Sequence, residues 1–405
     1  MPRILIVTPR FPIPATGACE QDRLEGIKQF ARLGHDVHVV SKFFDFQDSA
    51  VIQELSKQMG IPVVLIPYRK PPRSFFKRTI ELLKRFTTLS GYDGAAYEYA
   101  DPVLQEAVAR LMDDWKPDIL WCDYTYLWPA YRLAKKRNIP IITRSINFEP
   151  RHFLQEDGVS FVNFIKYVPK YFSEFITARS SAVLLAITPK EEKTYTRMGA
   201  RCVRTLPLRN MPTFLGTHKQ VQERSPLHVF FMGSTYSVSH NLETAKFLLF
   251  KVIPQVNQTF SGQFIFHIFG SKLPQGLINL CVDNIIHEGY VPEEQKEVVL
   301  ASMDIALSPS LFGAGMQQKI FEPLARGIPT ITSGRGVAGY PFTNNREILF
   351  ADSPEEYVQA LGRLTNVATR KRLSEQAVST SRRLFSEEQI DFVIQEVVRI
   401  VLAKQ

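Results

Sequence analysis

The sequence predicts an α/β protein of two doubly wound domains that face each other across a cleft. Three observations carry this expectation. Short β-branched runs alternate with longer helical stretches almost from end to end. The runs are nearly all apolar instead of alternating, the mark of parallel strands covered on both faces. A lapse over 206–225, holding Pro207, Pro212 and Gly216, divides the alternation into two consecutive series. The 405 residues suffice for two to three domains at roughly 150 residues each.

The first series opens with a strand at 3–8 and a helix at 21–33. Gly34 stands where the glycine that ends a helix belongs, and the next strand follows at 36–41. Strands are expected again at 61–67, 118–122, 139–144 and 182–187. The second series places strands at 227–232, 264–269, 284–287, 304–307, 328–332 and 348–350, and three helical stretches close the chain. The expected boundaries are a first domain over 1–206, a linker over 207–226, a second domain over 227–385, and a helix over 386–405 that returns to the first domain. In open sheets of this kind ligands lie beyond the carboxyl ends of the strands, so residues just after strands are the candidates for chemistry.

Composition narrows the partners. Apolar residues are 45 % and charged residues 22 %, which excludes a disordered chain. Forty-nine Lys and Arg against 40 Asp and Glu give +9, which suits an anionic partner: a nucleotide, a phospholipid surface or nucleic acid. No nucleic-acid-binding module is recognisable, so nucleic acid is not expected. Cys19, Cys122, Cys202 and Cys281 are scattered without CxxC spacing. They read as free, mostly buried thiols of a reducing compartment, and no metal site is expected. The opening residues read as a first strand and not as a signal peptide, and no apolar run approaches the roughly 20 residues of a membrane span. A cytoplasmic protein is the expectation. Residues 73–89 form a basic amphipathic helix on a helical wheel, with Phe75, Phe76, Ile80, Leu82, Leu83 and Phe86 opposite Arg73, Lys77, Arg78, Lys84 and Arg85. Such a helix lies on the cytoplasmic face of an anionic membrane or packs on its own sheet, and the sequence weighs the two evenly.

The densest motif runs from Gly313 to Pro329. A strand and a Ser-Pro-Ser turn precede it, glycines open a short helix, and Gly327 stops that helix before the next strand. Glycines let backbone approach a ligand, and the N–H groups at a helix start attract an anion. Lys319 and Glu322, three residues apart, share one helix face. A cation for phosphate beside a carboxylate for ribose hydroxyls is what a nucleoside diphosphate requires; an ordinary surface ion pair is the alternative. Pro323 cannot donate to the carbonyl of Lys319, so the helix either begins near Lys319 or bends there.

The pattern Gly315-x-x-x-Lys319-x-x-Glu322-x-x-Ala325-x-Gly327-x-Pro329 resembles the signature of the GT-B glycosyltransferases of family 4. The resemblance implies that Glu322 holds the ribose of a nucleotide-sugar donor. Many members carry a further glutamate where this chain has Ala314. Phe230-Phe231-Met232-Gly233-Ser234, followed by Asn241, is similar to the first strand and phosphate-facing loop of the family's donor domain. Many relatives place an arginine and a lysine there; with only Ser234, Lys319 becomes the expected cation. Phe266-His267-Ile268-Phe269-Gly270 resembles the second donor strand, and His287-Glu288-Gly289-Tyr290-Val291 the loop beside the base. In the first half, Thr8-Pro9-Arg10-Phe11-Pro12 with Gly17 resembles the loop that faces the donor phosphates. Arg144-Ser145-Ile146-Asn147-Phe148-Glu149 is similar to a segment in which relatives often carry a histidine where Ile146 stands. Asn147, Glu149 and His152 are the candidates on the acceptor side.

The resemblance implies a retaining, metal-independent glycosyltransferase that takes a nucleoside-diphosphate sugar as its donor substrate and needs no cofactor. Gly17, Gly233, Ser234, Gly270, Tyr290, Gly315, Lys319 and Glu322 would bind the donor, with Lys319 catalytic. The acceptor would be a glycan, lipid-linked or a polysaccharide precursor. Another GT-B enzyme, such as a nucleotide-sugar epimerase, and a non-catalytic nucleotide-sugar binder are the competing readings. Gly334-Arg335-Gly336-Val337-Ala338-Gly339 spells a dinucleotide fingerprint, but the residues that follow, from Tyr340, make a poor helix start, so it reads as a loop.

Overall fold

The computed structural model describes residues 1–68, 85, 87–311 and 316–403. The chain divides into two compact units, Met1–Asn210 with Ile390–Gln405, and Met211–Gln389. The first contains strands β1 (Arg3–Thr8), β2 (Asp36–Phe43), β3 (Val63–Pro67), β4 (Ile119–Asp123), β5 (Ile141–Arg144), β6 (Val183–Ala186) and β7 (Val203–Thr205). They form one sheet in the order β3-β2-β1-β4-β5-β6-β7, every pair parallel. The second unit contains β8 (Leu227–Thr235), β9 (Phe264–Ser271), β10 (Ile285–Gly289), β11 (Ile305–Ser308), β12 (Thr330–Thr332) and β13 (Leu349–Phe350). Its order is β10-β9-β8-β11-β12-β13, again parallel throughout. Both orders reverse beside the first strand of the series, at β1/β4 and at β8/β11, the crevices where doubly wound sheets bind ligands.

Strand periodicity explains why both faces are apolar. Ile4 and Ile6 point into one core with Ile27, Phe30 and Trp121, whereas Leu5 and Val7 point into another with Leu104, Val108 and Met112. Ile390, Ile394, Val397 and Val401 of the helix Glu387–Leu402 complete the first of these cores. In the second unit Val229 and Phe231 face one core and Phe230 the other. Gly34 follows the helix Ala18–Arg32 with φ of 78°, and its N–H closes the helix end on the Ala31 carbonyl.

Some expectations change. The edge strand β7 lies just ahead of the lapse, where only three residues pair with β6. All four cysteines are free, but only Cys122 is fully buried. Turns cover 334–339, with no helix after the glycines. Most of the amphipathic stretch 73–89 lies outside the described residues. Of its basic face Arg85 is described, and it pairs with Glu98 at 2.9 Å. No helix among the described residues is long and apolar enough to cross a membrane.

The chain leaves the first unit through a buried ion network. Asp22 receives Arg209 at 2.9 Å and Arg144 at 3.2 Å, and Arg209 also reaches Asp123 at 3.3 Å. Trp121 Nε1 donates to Asp123 at 2.9 Å, and Arg144 donates to the carbonyls of Leu206 and Pro207. Two guanidiniums thus face two carboxylates, which makes the burial tolerable. Burial opposes the charge on Asp22, but Arg209 and Arg144 outweigh it and hold the carboxyl down at about 2.

Candidate active site

In the second unit the helix Gln318–Ala325 follows β11 and carries Lys319 and Glu322. It begins at Gln318, so Pro323 sits inside it and leaves the Lys319 carbonyl without its helical donor. Ser308, the last residue of β11, supplies the replacement: its hydroxyl donates to that carbonyl at 3.3 Å. Strand end and helix are thereby tied together where Lys319 emerges. Gly313, Ala314 and Gly315 lie outside the described residues.

The Lys319 ammonium reaches across to the element that follows β8. It donates to Asn241 Oδ1 at 3.4 Å and lies 5.9 Å from the centre of the Phe231 ring. Among the described residues no carboxylate pairs with it. Loss of hydration lowers its pKa to about 8. His240 lies close enough for Lys319 to add to the effect of burial in lowering the imidazole's pKa. Lys319, Asn241 and His240 gather at the β8/β11 reversal, and no motif marked His240.

Glu322, three residues on, is 6 % exposed. Its Oε2 meets Lys296 at 3.3 Å, and Arg326 approaches Oε1 at 3.6 Å, yet Oε1 accepts no hydrogen bond. Burial raises its pKa, against the pull of Lys296 and Arg326. A hydroxyl donor at Oε1 would satisfy it. Lys296, on the helix Glu293–Ser302, had no motif to mark it. A cavity of about 300 Å³ opens nearby, but its lining includes Arg326 and Glu297 and neither Lys319 nor Glu322.

The glycines after β8 and β9 meet one another. A Cβ on Gly270, whose φ is 141°, would lie 2.3 Å from the Gly233 carbonyl, and one on Gly233 would lie 3.1 Å from the Tyr236 ring. Tyr236 donates to the Phe269 carbonyl at 2.8 Å, so close packing alone demands glycine at 270 and leaves little room at 233. Ser234 beside them is exposed. Tyr290, just past β10, is 67 % exposed, and its loop is anchored by Glu288, which lies 2.7 Å from His267, itself 2.8 Å from His228.

In the first unit Gly17 caps the helix Ala18–Arg32 in an extended conformation without a side-chain cap. A Cβ there would come within 2.6 Å of Glu20 Oε2, so a carboxylate already occupies this helix start. Arg10 and Arg23 hold it, and Arg23 also donates to Thr8 Oγ1 at 3.2 Å and to the Arg10 carbonyl at 2.7 Å. The Arg23 guanidinium lies 5.6 Å from the Tyr124 ring centre. Tyr124, at the end of β4, has φ of 93°, a strain of about 1–3 kcal/mol for such a residue. Strain of this kind gathers at functional sites.

Asn147 and Glu149 sit on a turn fixed by buried acids. Ser145 Oγ donates to the Asn147 carbonyl at 3.0 Å, the Phe148 N–H to Glu191 at 3.1 Å, and the Glu149 N–H to Glu174 at 3.2 Å. Burial raises the carboxyls of Glu174 to about 8 and of Glu191 to about 7. Glu174 also lies 2.8 Å from Thr125 Oγ1 and from the Tyr195 hydroxyl. Glu149 opens the helix Glu149–Asp157, which carries His152. An aromatic run borders this part of the unit: Tyr124 and Tyr126 stack at 5.0 Å, Tyr126 and Tyr99 lie 5.6 Å apart, and Phe44 stacks on Tyr68 at 4.2 Å. Among the described residues no group of three or more His, Cys, Asp or Glu could hold a metal ion.

Two family models match, one per unit: "Glycosyl transferase 4-like domain" over residues 19–211 and "Glycosyl transferases group 1" over residues 226–366. Among solved structures, sucrose-phosphate synthase of Thermosynechococcus elongatus is 15 % identical over 100 % of both chains, with a TM-score of 0.67. Anabaena HepE, solved with UDP and glucose, is 13 % identical over 98 % of this chain and 100 % of its own, with a TM-score of 0.61. A variant of S. aureus TarM, solved with fondaparinux, α-GlcNAc-glycerol and UDP, is 10 % identical over 99 % of this chain and 100 % of its own, with a TM-score of 0.64. No curated protein matches the sequence. Two parallel sheets of this order, with these matches, make the chain a GT-B glycosyltransferase. Because both of its units match, it belongs to the GT4-like family.

Proposed function

We propose that this glycosyltransferase moves a sugar from a nucleoside-diphosphate sugar to a glycan acceptor, with the second unit holding the donor and the first the acceptor. The observation that carries the reading is Lys319: a largely desolvated ammonium without a carboxylate partner among the described residues, at the β8/β11 reversal. Breaking the bond from anomeric carbon to phosphate builds negative charge on the departing diphosphate, and an ammonium fixed in place stabilises that charge without reorganising. Lys319 therefore serves as the catalytic cation, and the reading needs no metal. Glu322 Oε1 accepts from a ribose hydroxyl while Lys296 and Arg326 keep the carboxylate in place. Gly233, Ser234, Gly270, Tyr290 and Gly315 are further candidates for the donor, whereas the helix start at Gly17 is already filled by the Glu20 carboxylate.

Asn147, Glu149 and His152 are assigned to the acceptor, and the neighbouring aromatic run suits the apolar faces of sugar rings. HepE and TarM, solved with UDP, support a nucleotide-sugar donor, and TarM with α-GlcNAc-glycerol supports a glycan-type acceptor. Retention of the anomeric configuration is the course that the GT4-like resemblance implies. The test is a thermal-shift screen against UDP-, GDP-, dTDP- and ADP-sugars, followed by NMR of the anomeric proton in the product. One nucleotide should stabilise the enzyme, and Lys319→Ala should depress turnover with the fold intact. Normal turnover in that variant would contradict the assignment.

A further inference from the structure

The loop that leads into β13 gathers three arginines that the donor assignment does not use. Asn345 is their centre. Arg363, in the last turn of the helix Pro354–Leu364, donates to Asn345 Oδ1 at 2.6 Å. Arg372, on the helix Val367–Phe385, donates to the Asn345 carbonyl at 2.8 Å. Arg346 follows directly in the chain, and all three arginines are exposed.

The loop is braced to hold this arrangement. Asn345 has φ of 67°, the left-handed region that asparagine tolerates better than most residues. Its N–H donates to the Ile348 carbonyl at 2.8 Å, and the Asn344 side chain accepts from the Phe350 N–H at 2.9 Å. The two acceptors that receive the arginines are thereby fixed, and two separate helices deliver their guanidiniums to one residue.

The charges that meet here are unbalanced. Both acceptors on Asn345 are neutral, and among the described residues no carboxylate pairs with Arg363 or Arg372. The acid of the loop, Glu347, is 2 % exposed and already engaged: it accepts from the Thr343 N–H at 2.9 Å and the Thr380 hydroxyl at 3.0 Å, and pairs with Arg346 at 3.2 Å. Residues 357–386, which include Arg363 and Arg372, hold six Lys and Arg and a single acid, Glu375. The local field is therefore positive and draws anions. Like charges held at a neutral residue repel one another, and nothing in the loop offsets that repulsion.

The donors left over identify the anion. Arg363 and Arg372 make one hydrogen bond each and keep their other N–H groups for a ligand. The two oxygens of a carboxylate satisfy a single guanidinium; two that converge call for more oxygens and more charge, which a phosphate group supplies. The place is also apart from the donor. β13 is the outer strand of its parallel sheet and Asn345 lies ahead of its amino end, whereas Lys319 follows the carboxyl end of β11.

We propose that Arg363 and Arg372, with Arg346 beside them, form a phosphate-binding site, filled by a free phosphate or phosphate ester or by a phospholipid headgroup. The donor assignment plays no part in this inference.

The test uses two probes on the full-length protein. Calorimetry with inorganic phosphate reads the free anion; flotation with vesicles of phosphatidic acid in phosphatidylcholine, against phosphatidylcholine alone, reads the headgroup. Wild type is expected to bind at least one of the two, and the one it binds names the source. The double variant Arg363→Gln, Arg372→Gln should weaken that binding at least about tenfold, the worth of two hydrogen bonds to a charged group, with an unchanged circular dichroism spectrum. Each single variant should weaken it by a smaller factor. Both probes are repeated on Lys319→Met, which removes phosphate taken at the donor site and should leave this binding in place. Binding that survives in Lys319→Met and vanishes in the double variant belongs to the Asn345 loop, whatever becomes of the donor reading. Wild type that binds neither probe, a double variant that binds as wild type does, or a Lys319→Met variant that loses all binding overturns the proposal.

Discussion

Lys319 offers the sharpest test, because its environment couples nucleotide binding to pH. With a pKa of about 8, the free enzyme carries the ammonium in about nine-tenths of molecules at pH 7 and in about one-quarter at pH 8.5. A diphosphate binds the charged form, so its affinity should fall about fourfold over that interval, and binding at pH 8 should take up about half a proton. Calorimetry in two buffers of different ionisation enthalpy reads both quantities. Lys319→Met should weaken binding and abolish the proton uptake. The sign for stability runs the other way. A lysine whose pKa is lowered in the folded state disfavours folding fully below that value, and the cost fades as pH rises towards 10.5. The Met variant should therefore melt higher than wild type at pH 7 and lose that advantage at high pH. Affinity that stays flat from pH 7 to 8.5, or the same proton uptake in Lys319→Met, would refute the placement of phosphate at this ammonium.

Other outcomes follow from the same geometry. Glu322→Ala should weaken the nucleotide by about 1.5–3 kcal/mol, the worth of a hydrogen bond to a charged group; an unchanged dissociation constant by calorimetry removes the ribose role. Asp22→Asn leaves Arg209 and Arg144 short of a counter-charge and should cost about 3–5 kcal/mol in urea unfolding. In wild type the Asp22 contribution is complete above its ordinary value of 3.8 and disappears as pH falls through about 2, so an acid transition of the same shape in Asp22→Asn would deny the linkage. Glu174, raised from 4.5 to about 8, favours unfolding progressively across that interval, because the unfolded chain releases the proton first. Glu174→Gln should gain in melting temperature over wild type as pH rises from 5 to 8, and a constant difference would sink the argument.

Much of the fold was legible because parallel strands buried on both faces read as apolar runs, and Lys319 and Glu322 stood out as candidates because a loop and helix after a strand mark the place where such sheets bind ligands. What escaped depends on contacts distant in sequence. Glu174 and Glu191 look like any helical glutamates; their burial arises from partners such as Thr125 and the Phe148 N–H, which only the folded chain brings near. Pro323 left the helix start open, and the resolution came from Ser308, a residue with no motif around it. Gly233 and Gly270 were read as ligand-facing, yet the approach of the two backbones and the Tyr236 ring requires glycine at 270 whatever binds, and crowds a side chain at 233. A glycine that matches a binding motif can therefore be explained by packing, and substitution there would report on the strand crossing before it reported on the donor.

The helix Phe161–Ser180 exposes a different limit. Periodicity identifies which side of a helix is apolar, but the usual inference that this side turns inward assumes that the domain has an apolar surface to receive it. Here the receiving surface offers Asp93, Thr125, Trp128 and Tyr195, each bonded to a polar residue of the helix. Leaving those groups unpaired would cost more than exposing several apolar side chains, since a buried polar group without a partner loses its whole hydration. The orientation is therefore decided by hydrogen bonds and not by hydrophobicity. A single substitution should reveal it: Glu174→Leu, which makes the inward side apolar but takes away the acceptor of the Thr125 hydroxyl and of the Glu149 N–H, is expected to destabilise the protein, whereas an ordinary amphipathic helix would be stabilised by the same change.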